Sequence, residues 1–295
     1  MMNAKSRLTR REALQFLKDI LGILEPEFKL VSDRVSLVNE VIQAFSEEIP
    51  FQNLDLLSQD VNEKHLPTWD EIHLAVLQKR GGLCYTLNVF MKELLAALGF
   101  DVYHAACAIF HPDNHIATIV KGLTHTGSRH LVDISGYPIF EAIALDFKVE
   151  SNIYRHSFLQ YKFVLENNLI VRFHCRDKHD SLNMSSSFLF NGWVRFCEID
   201  LTPRHLSYFN CTMARVYTDP NVSFSFFKTL RLLRFPKLKA VGVKDDFEFT
   251  EGANHQLNFK KLSKLEAISF IKEHFSQFCG SEIETALSRL QFFTA

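Results

Sequence analysis

The hydrophobic pattern of this 295-residue chain changes at Gly99. Before that glycine, apolar residues recur at the spacing of one helical face. The pattern predicts four helices, marked by Ala13, Phe16, Leu17, Ile20 and Leu24; by Asp33 as a cap with Val35, Val38, Val41, Ile42 and Phe45; by Trp69, Ile72, Val76 and Leu77; and by residues 84–98. Gly99 is a suitable residue to end the fourth helix.

After Gly99, short apolar runs between turn residues predict strands. The runs are 102–110, 116–120, 129–134, 161–165, 169–175, 193–199, 224–232, 238–243 and 247–250. Asn167-Asn168 predicts a hairpin turn, and the polar stretch 178–187 predicts a surface loop. Helices return at 263–275 and 281–290. Because the strands do not alternate with helices, the order favours an α+β fold over a doubly wound sheet.

Composition excludes several classes of protein. Hydrophobic residues make up 47% and charged residues 23%, which is typical of a globular chain. The net charge of −1 does not favour general binding of nucleic acid. No segment approaches the roughly 20 apolar residues of a membrane helix, and no apolar run follows the N-terminal charges as in a signal peptide. We therefore expect a cytoplasmic protein with no nucleic-acid or membrane partner and a monomer as the default.

One of the six cysteines stands apart from the others. None forms a Cys-x-x-Cys pair, so no metal site is expected, and a reducing cytosol keeps thiols free. Cys84 follows a Gly-Gly turn and opens a predicted helix. Free N–H groups and the helix dipole favour a thiolate there. Taken alone, the same pattern also suits a buried structural cysteine.

A nucleophilic cysteine needs a base and an acid that orients it. His115 opens the strand at 116–120, and Asp133 lies inside the apolar run 131–134. A carboxylate in an apolar strand is costly unless it is paired, and an imidazole is a suitable partner. A surface histidine and a strand-end acid are the simpler readings of these two residues. The nearby rivals for the base are His104, His111, His125 and His130.

These segments together resemble the arylamine N-acetyltransferase family. Residues 80–84 are similar to its Arg-Gly-Gly-aromatic-Cys element, His115 to its strand-opening His, and residues 132–136 to its Val-Asp-Val-Gly strand. Residues 50–54 are similar to its Pro-Phe-Glu-Asn-Leu element, and Asn88 matches its Asn four residues after the cysteine. Weaker likenesses follow at 201–204 and 217–224.

The resemblance implies a fold and a reaction. The fold has a helical domain at 1–100 that carries the cysteine, a β-barrel-like domain at 101–205 that carries the His and Asp, and an α/β lid at 206–295, in a papain-like Cys-His-Asp arrangement. The reaction is a ping-pong transfer of acetyl from acetyl-CoA, a cosubstrate and not a bound cofactor, to an arylamine, hydrazine or N-hydroxyarylamine, as in xenobiotic metabolism.

The resemblance also assigns roles to residues. The implied catalytic residues are Cys84, His115 and Asp133. The implied coenzyme contacts are Ser135, Gly136 and Ser223. The implied supports of the site are Arg80, Gly81, Gly82, Phe51, Gln52 and Asn53.

Four positions depart from the family pattern. Leu83 replaces an aromatic residue, and Thr86 stands where Glu or Gln is usual. Gln52 replaces Glu, so an ion pair from that position to Arg80 would become a neutral hydrogen bond and hold the turn less firmly. Ser135 replaces a glycine ahead of Pro138, which is expected to reshape the mouth of the site.

Two alternatives remain open on the sequence. One is a binding relative that keeps the scaffold without turnover, which the changes at Gln52, Thr86 and Ser135 motivate. The other is a thiol hydrolase or transglutaminase-like enzyme with the same Cys-His-Asp geometry, because one triad can serve several acceptors.

Overall fold

A computed structural model describes residues 6–175, 189–190, 192–223 and 226–293. The described residues form nine α-helices and fourteen β-strands. The helices are α1 (Arg10–Asp19), α2 (Pro26–Ser32), α3 (Arg34–Glu48), α4 (Leu54–Ser58), α5 (Trp69–Leu77), α6 (Cys84–Ala97), α7 (Asn210–Thr218), α8 (Lys264–His274) and α9 (Gly280–Ser288). The strands are β1 (Phe51–Gln52), β2 (Asp101–Ala108), β3 (His115–Lys121), β4 (Arg129–Val132), β5 (Ile143–Ala144), β6 (Tyr154–His156), β7 (Leu159–Glu166), β8 (Leu169–Cys175), β9 (Leu189–Phe190), β10 (Trp193–Arg204), β11 (Arg231–Arg234), β12 (Val241–Lys244), β13 (Phe247–Glu251) and β14 (Leu257–Lys261).

The strands form two antiparallel sheets. The larger sheet has the order β5-β4-β3-β2-β10-β8-β7-β6, with β9 paired to β10, and it curls into an open half-barrel. The smaller sheet has the order β1-β11-β12-β13-β14. N-terminal helices, a curled sheet and a C-terminal α/β part confirm the predicted α+β fold.

Local sequence explains where the main helices begin. Asp33 caps α3 by accepting a hydrogen bond from the Ser36 N–H, as its position ahead of the apolar pattern predicts. Thr68 and Ser263 each form a capping box with the glutamate three residues later. Gly99 ends α6 at a φ of +88°, a conformation that glycine adopts at little cost.

Several sequence-based predictions of elements were wrong. Helix α1 ends at Asp19, and Leu24 is 76% exposed and not part of the helical face. The helices α2, α4 and α7 and the strands β1, β5, β6, β9 and β14 were not predicted. Of the described residues in the predicted strand 224–232, only Arg231 and Leu232 belong to a strand, β11, because the carbonyls of Phe226 and Thr229 accept hydrogen bonds from the side chain of Asn53. The predicted surface loop at 178–187 lies outside the described residues.

Two segments tie the ends of the chain together. Helix α7 contributes Met213, Val216 and Tyr217 to the core of the N-terminal helices. Strand β1 joins the smaller sheet by pairing with β11, and α4 packs in the core with α8 and α9. The division into 1–100, 101–205 and 206–295 stays a prediction, and these two segments cross it.

In the residues that the structure describes, no helix is both long enough and apolar enough to cross a membrane.

The Gly-Gly turn before α6 is docked on the segment that contains β1. The Gly82 N–H donates to the Pro50 carbonyl at 3.3 Å, and the Gln52 N–H donates to the Gly82 carbonyl at 3.0 Å. Gly81 has a φ of +74°, and a Cβ atom there would lie 1.9 Å from the Pro50 oxygen. A Cβ atom at Gly82 would lie 2.8 Å from the Cβ atom of Thr86. The two motifs at 50–54 and 80–84 are therefore one structural unit.

We expect Gly81→Ala to destabilise the protein far more than Gly122→Ala. Both glycines have a positive φ, but a Cβ atom at Gly122 meets nothing within 4 Å. The control should lose about 1–2 kcal/mol from backbone strain alone, whereas Gly81→Ala should lose at least ~4 kcal/mol because it also collides with backbone. Urea unfolding of both variants measures the difference. Equal losses would contradict the docking of the turn.

Candidate active site

Cys84 is the first residue of α6, directly after the docked turn. Its N-cap, Leu83, offers no side-chain hydrogen bond to the first free N–H groups of the helix. Those groups and the helix dipole remain available to a negative charge at this end. The side chain keeps 9% of its surface exposed. Cys84 therefore lies at the positive end of a helix dipole with a small part of its surface exposed.

His115, the first residue of β3, and Asp133, the residue directly after β4, form a buried pair in the half-barrel. Their exposed fractions are 2% and 5%, and His115 Nε2 lies 2.8 Å from Asp133 Oδ1. Burial alone would lower the pKa of His115, but the charges of Asp133 and Cys84, with hydrogen bonds to both, raise that pKa well above its ordinary value. Burial would raise the pKa of Asp133, but His115 and Arg172 hold it below its ordinary value.

The rival histidines have other surroundings. His104 is buried, and burial lowers its pKa to about 3. His130 is also buried, and burial lowers its pKa. The ring of His125 is 66% exposed, and His111 is bonded to Ser223. Of these histidines, His115 is the one that hydrogen bonds to the strand carboxylate of Asp133.

Asn88, one turn after Cys84, joins α6 to the end of β4. Its Nδ2 donates to the Cys84 carbonyl at 3.1 Å and to the Ile134 carbonyl at 2.8 Å, and lies 3.4 Å from Asp133 Oδ1. Its Oδ1 accepts from the Ile134 N–H at 3.0 Å. Helix α6, which carries Cys84, and the segment directly after β4, which carries the Asp133 carboxylate, are thus joined by one buried amide.

The structure corrects the expectation about Gln52 and Arg80. Gln52 bonds to Asp55, with Nε2 donating to Oδ2 at 2.8 Å. Arg80 forms ion pairs with Asp55 and, at 2.9 Å, with Glu282. The neutral residue at 52 therefore does not leave Arg80 without charged partners, because Asp55 and Glu282 supply them.

The segment that contains β1 contacts both the chain ahead of β11 and the turn after Asp133. Asn53 donates to the Phe226 and Thr229 carbonyls at 2.8 and 2.7 Å and accepts from the Arg231 N–H at 2.7 Å. These bonds explain why the predicted strand starts late. Phe51 lies against Gly136, where a Cβ atom would come within 3.1 Å of its ring.

The three residues that are expected to contact coenzyme A lie in two different parts of the structure. Ser135 and Gly136 lie two and three residues after Asp133, and the Ser135 hydroxyl is buried with no hydrogen-bond partner among the described residues. Ser223 lies in the exposed turn after α7, where its hydroxyl is 3.0 Å from His111 Nε2. Residue 224 of the similar segment at 217–224 lies outside the described residues.

Sequence reasoning missed three charged residues. Asp55 lies one residue beyond the motif at 50–54, so its position was a usable signal. Glu282 and Arg172 reach the site from distant parts of the chain, and neither belongs to a motif. Arg172 is 2% exposed, and its Nη1 lies 3.7 Å from Asp133 Oδ2.

Comparison with known proteins identifies the family of the chain and its fold. The model of the N-acetyltransferase family matches residues 35–277. The chain belongs to the arylamine N-acetyltransferase family. At the level of the family, the predicted acyltransferase class is confirmed.

Individual relatives are distant. The Mycobacterium marinum arylamine N-acetyltransferase in complex with CoA superposes with a TM-score of 0.72 at 15% identity, over 92% of this chain and 97% of that chain. The enzyme from M. tuberculosis gives 0.71 at 16% identity, over 92% and 99%. At such identities the likeness shows the fold alone.

A curated relative, a probable arylamine N-acetyltransferase 2 of Dictyostelium discoideum, is 24% identical over 104 residues. The match covers 33% of this chain and 34% of the relative, so the chain spans about a third of the length of the curated protein it matches.

We expect Asn88→Ala to lower both stability and the reactivity of Cys84. It leaves the buried Ile134 N–H without its acceptor, which costs about 1–3 kcal/mol, and frees Asp133 and His115 to move. Asn39→Ala is the matched control. Asn39 lies on helix α3, and its side chain also accepts a hydrogen bond from a loop N–H, that of Ala142. Urea unfolding and the rate of Cys84 alkylation by iodoacetamide at pH 7 measure the effects. A slower alkylation in both variants would contradict a specific role for Asn88.

Proposed function

We propose that this protein is an acetyl-CoA-dependent arylamine N-acetyltransferase that works through Cys84, His115 and Asp133. The proposal is carried by the buried His115–Asp133 hydrogen bond of 2.8 Å beside the helix start at Cys84. The family match over residues 35–277 supports the same reaction class.

In the first half-reaction, the Cys84 thiolate attacks the carbonyl carbon of acetyl-CoA. The C–S bond to coenzyme A breaks, and coenzyme A leaves as a thiol after taking a proton from the His115 imidazolium. The product is an acetyl-cysteine. Asp133 orients the imidazole and stabilises its charged form.

In the second half-reaction, the acceptor nitrogen attacks the acetyl-cysteine. Neutral His115 accepts the proton that the amine loses, and Cys84 is released as a thiolate beside the imidazolium. The acceptor would be an arylamine, a hydrazine or an N-hydroxyarylamine. The cycle returns the site to its initial charge state without a bound cofactor.

Coenzyme A is expected to approach near the turn at 135–136. A relative with the same fold was solved with CoA, and this turn starts two residues after Asp133. We assign Ser135 and Gly136 to the coenzyme side of the mouth, with Ser223 as a further contact. A cytoplasmic location and a monomeric state remain predictions from the sequence.

We expect acetyl-CoA alone to add the mass of one acetyl group to the protein, at Cys84. Intact mass spectrometry and peptide mapping measure the addition. Cys84→Ser should lose the stable thioester and at least ~10³-fold of the rate of arylamine acetylation, because a serine hydroxyl is a far weaker nucleophile here.

Cys211→Ser is the matched control, since Cys211 is an exposed thiol outside the site. It should acetylate at the normal rate. A wild-type protein that forms no acetyl-cysteine would overturn the proposal.

The two alternatives make different predictions. A thiol hydrolase would release free acetate from acetyl-CoA without an acceptor amine. A silent binding relative would leave Cys84 with the slow, strongly pH-dependent alkylation of an ordinary thiol. Rapid alkylation near neutral pH that varies little with pH would exclude the second alternative.

We expect Ser135→Gly to widen the range of acyl donors. The buried Ser135 hydroxyl lies two residues after Asp133, and removing it should raise the rate with propionyl-CoA relative to acetyl-CoA by roughly threefold or more. The ratio of the two kcat/KM values is the measurement, with Ser151→Gly as a surface control. An unchanged ratio would remove Ser135 from the determinants of donor choice.

A further inference from the structure

Arg172 is a fully buried cation on the far side of Asp133 from His115. It is 2% exposed, its Nη1 lies 3.7 Å from Asp133 Oδ2, and its Nε and Nη2 have no hydrogen-bond partner among the described residues. A buried charge with unpaired donors is costly, and an apolar side chain of similar size would pack at lower cost. The free-energy cost of burying Arg172 therefore indicates that its positive charge has a role beyond packing.

The surroundings of Arg172 stabilise a cation. Its guanidinium lies over the rings of Tyr161, Tyr137 and Phe196, at 5.0, 5.5 and 5.4 Å from the ring centroids. Aromatic faces attract cations, most strongly where water is excluded. His174, two residues along the same strand, is buried, and burial with the nearby Arg172 lowers its pKa well below the ordinary value. It therefore adds no second positive charge.

A bulge in β10 helps to build this cage. The pairing of β10 with β8 shifts between Arg195 and Cys197, so that Cys197 lies opposite Arg172. Phe196 falls at the shift, and both Phe196 and Cys197 are buried in the half-barrel core. Bulges of this kind re-aim side chains next to functional sites.

The four charges around the nucleophile sum to zero when Arg172 is included. A Cys84 thiolate and the Asp133 carboxylate supply two negative charges, and the His115 imidazolium and Arg172 supply two positive ones. Without Arg172 the same set carries one net negative charge in a buried site, which is costly. The simplest relief is the uptake of a proton by one of these groups.

We propose that Arg172 is a positioning residue that keeps Asp133 ionised and balances the charge of the site, so that the Cys84 thiolate persists at neutral pH. The role rests on the proposed function, because it acts through the same thiolate and imidazolium. Arg172 acts through Asp133 and does not contact the substrate.

The other polar and titratable groups near Asp133 come from several elements. His115 comes from β3, Cys84 and Asn88 from α6, and Tyr161 from β7. Burial raises the pKa of Tyr161, so it stays neutral. Cys107 on β2 and Cys197 on β10 are buried thiols near the pair, so alkylation is to be mapped to Cys84 by peptide mass.

The test is the pH profile of Cys84 alkylation by iodoacetamide. Arg172→Met removes the charge at similar length, and we expect the midpoint of its profile to rise by about one pH unit, which is roughly a tenfold slower reaction at pH 7. Arg172→Lys keeps the charge and should hold the midpoint within half of that shift. Single-turnover acetylation at pH 7 should slow in parallel, with the KM for acetyl-CoA within about twofold of the wild type.

Arg195→Met is the matched control. Arg195 forms ion pairs with Glu166 and Glu198 at the surface, and its loss should leave the midpoint unchanged. If Arg172→Met does not fold, Arg172→Gln carries the same test. A folded neutral variant with the wild-type midpoint would overturn the proposal, as would an equal shift in Arg172→Lys.

The alkylation assay needs no acetyl-CoA. A failure of the wild-type protein to accept acetyl would therefore count against the proposed function without affecting this result. Normal acetylation with an unshifted midpoint in Arg172→Met would count against Arg172 alone.

Discussion

The close approach of Gly81 to the Pro50 carbonyl is the constraint on which the site depends. A Cβ atom at residue 81 would lie 1.9 Å from that oxygen, so the chain can turn there only through glycine. The turn fixes where α6 starts, and with it the place of Cys84. The same backbone contact joins the helices to β1, and β1 pairs with β11 of the smaller sheet. One glycine thus aligns three parts of the chain.

Asn88 transmits this alignment to the half-barrel. Its amide bonds to the Cys84 carbonyl and to both backbone groups of Ile134, the residue after Asp133. Because hydrogen bonds are short and directional, these bonds from one side chain to two backbone segments fix the separation of Cys84 and Asp133 closely. Arg80 stabilises the other end of the turn through Asp55 and Glu282. Arg80 therefore keeps charged partners, Asp55 and Glu282, although residue 52 is a neutral glutamine.

Local signals in the sequence predict those parts of the molecule that local physics determines. The start of α6, the cap at Asp33 and the strand that His115 opens all follow from neighbouring residues. The order of the sheet does not, because β10 pairs with β2 and β8 across long stretches of chain. Glu282 and Arg172 also escaped prediction, since each meets its partner only through tertiary packing. The late start of β11 has the same origin, because the competing hydrogen bonds come from Asn53.

Burial and charge balance connect Arg172 to the candidate site of Cys84, His115 and Asp133. A thiolate and a carboxylate with a single imidazolium would leave one uncompensated charge away from water, and a buried group then takes up a proton. In many sites solvent supplies the balance, but His115 and Asp133 are almost completely buried. The aromatic rings around Arg172 supply partial compensation for a cation that has few hydrogen bonds. The burial of His115 and Asp133 therefore goes together with a second buried cation, Arg172, which Phe196 of the bulged strand β10 contacts.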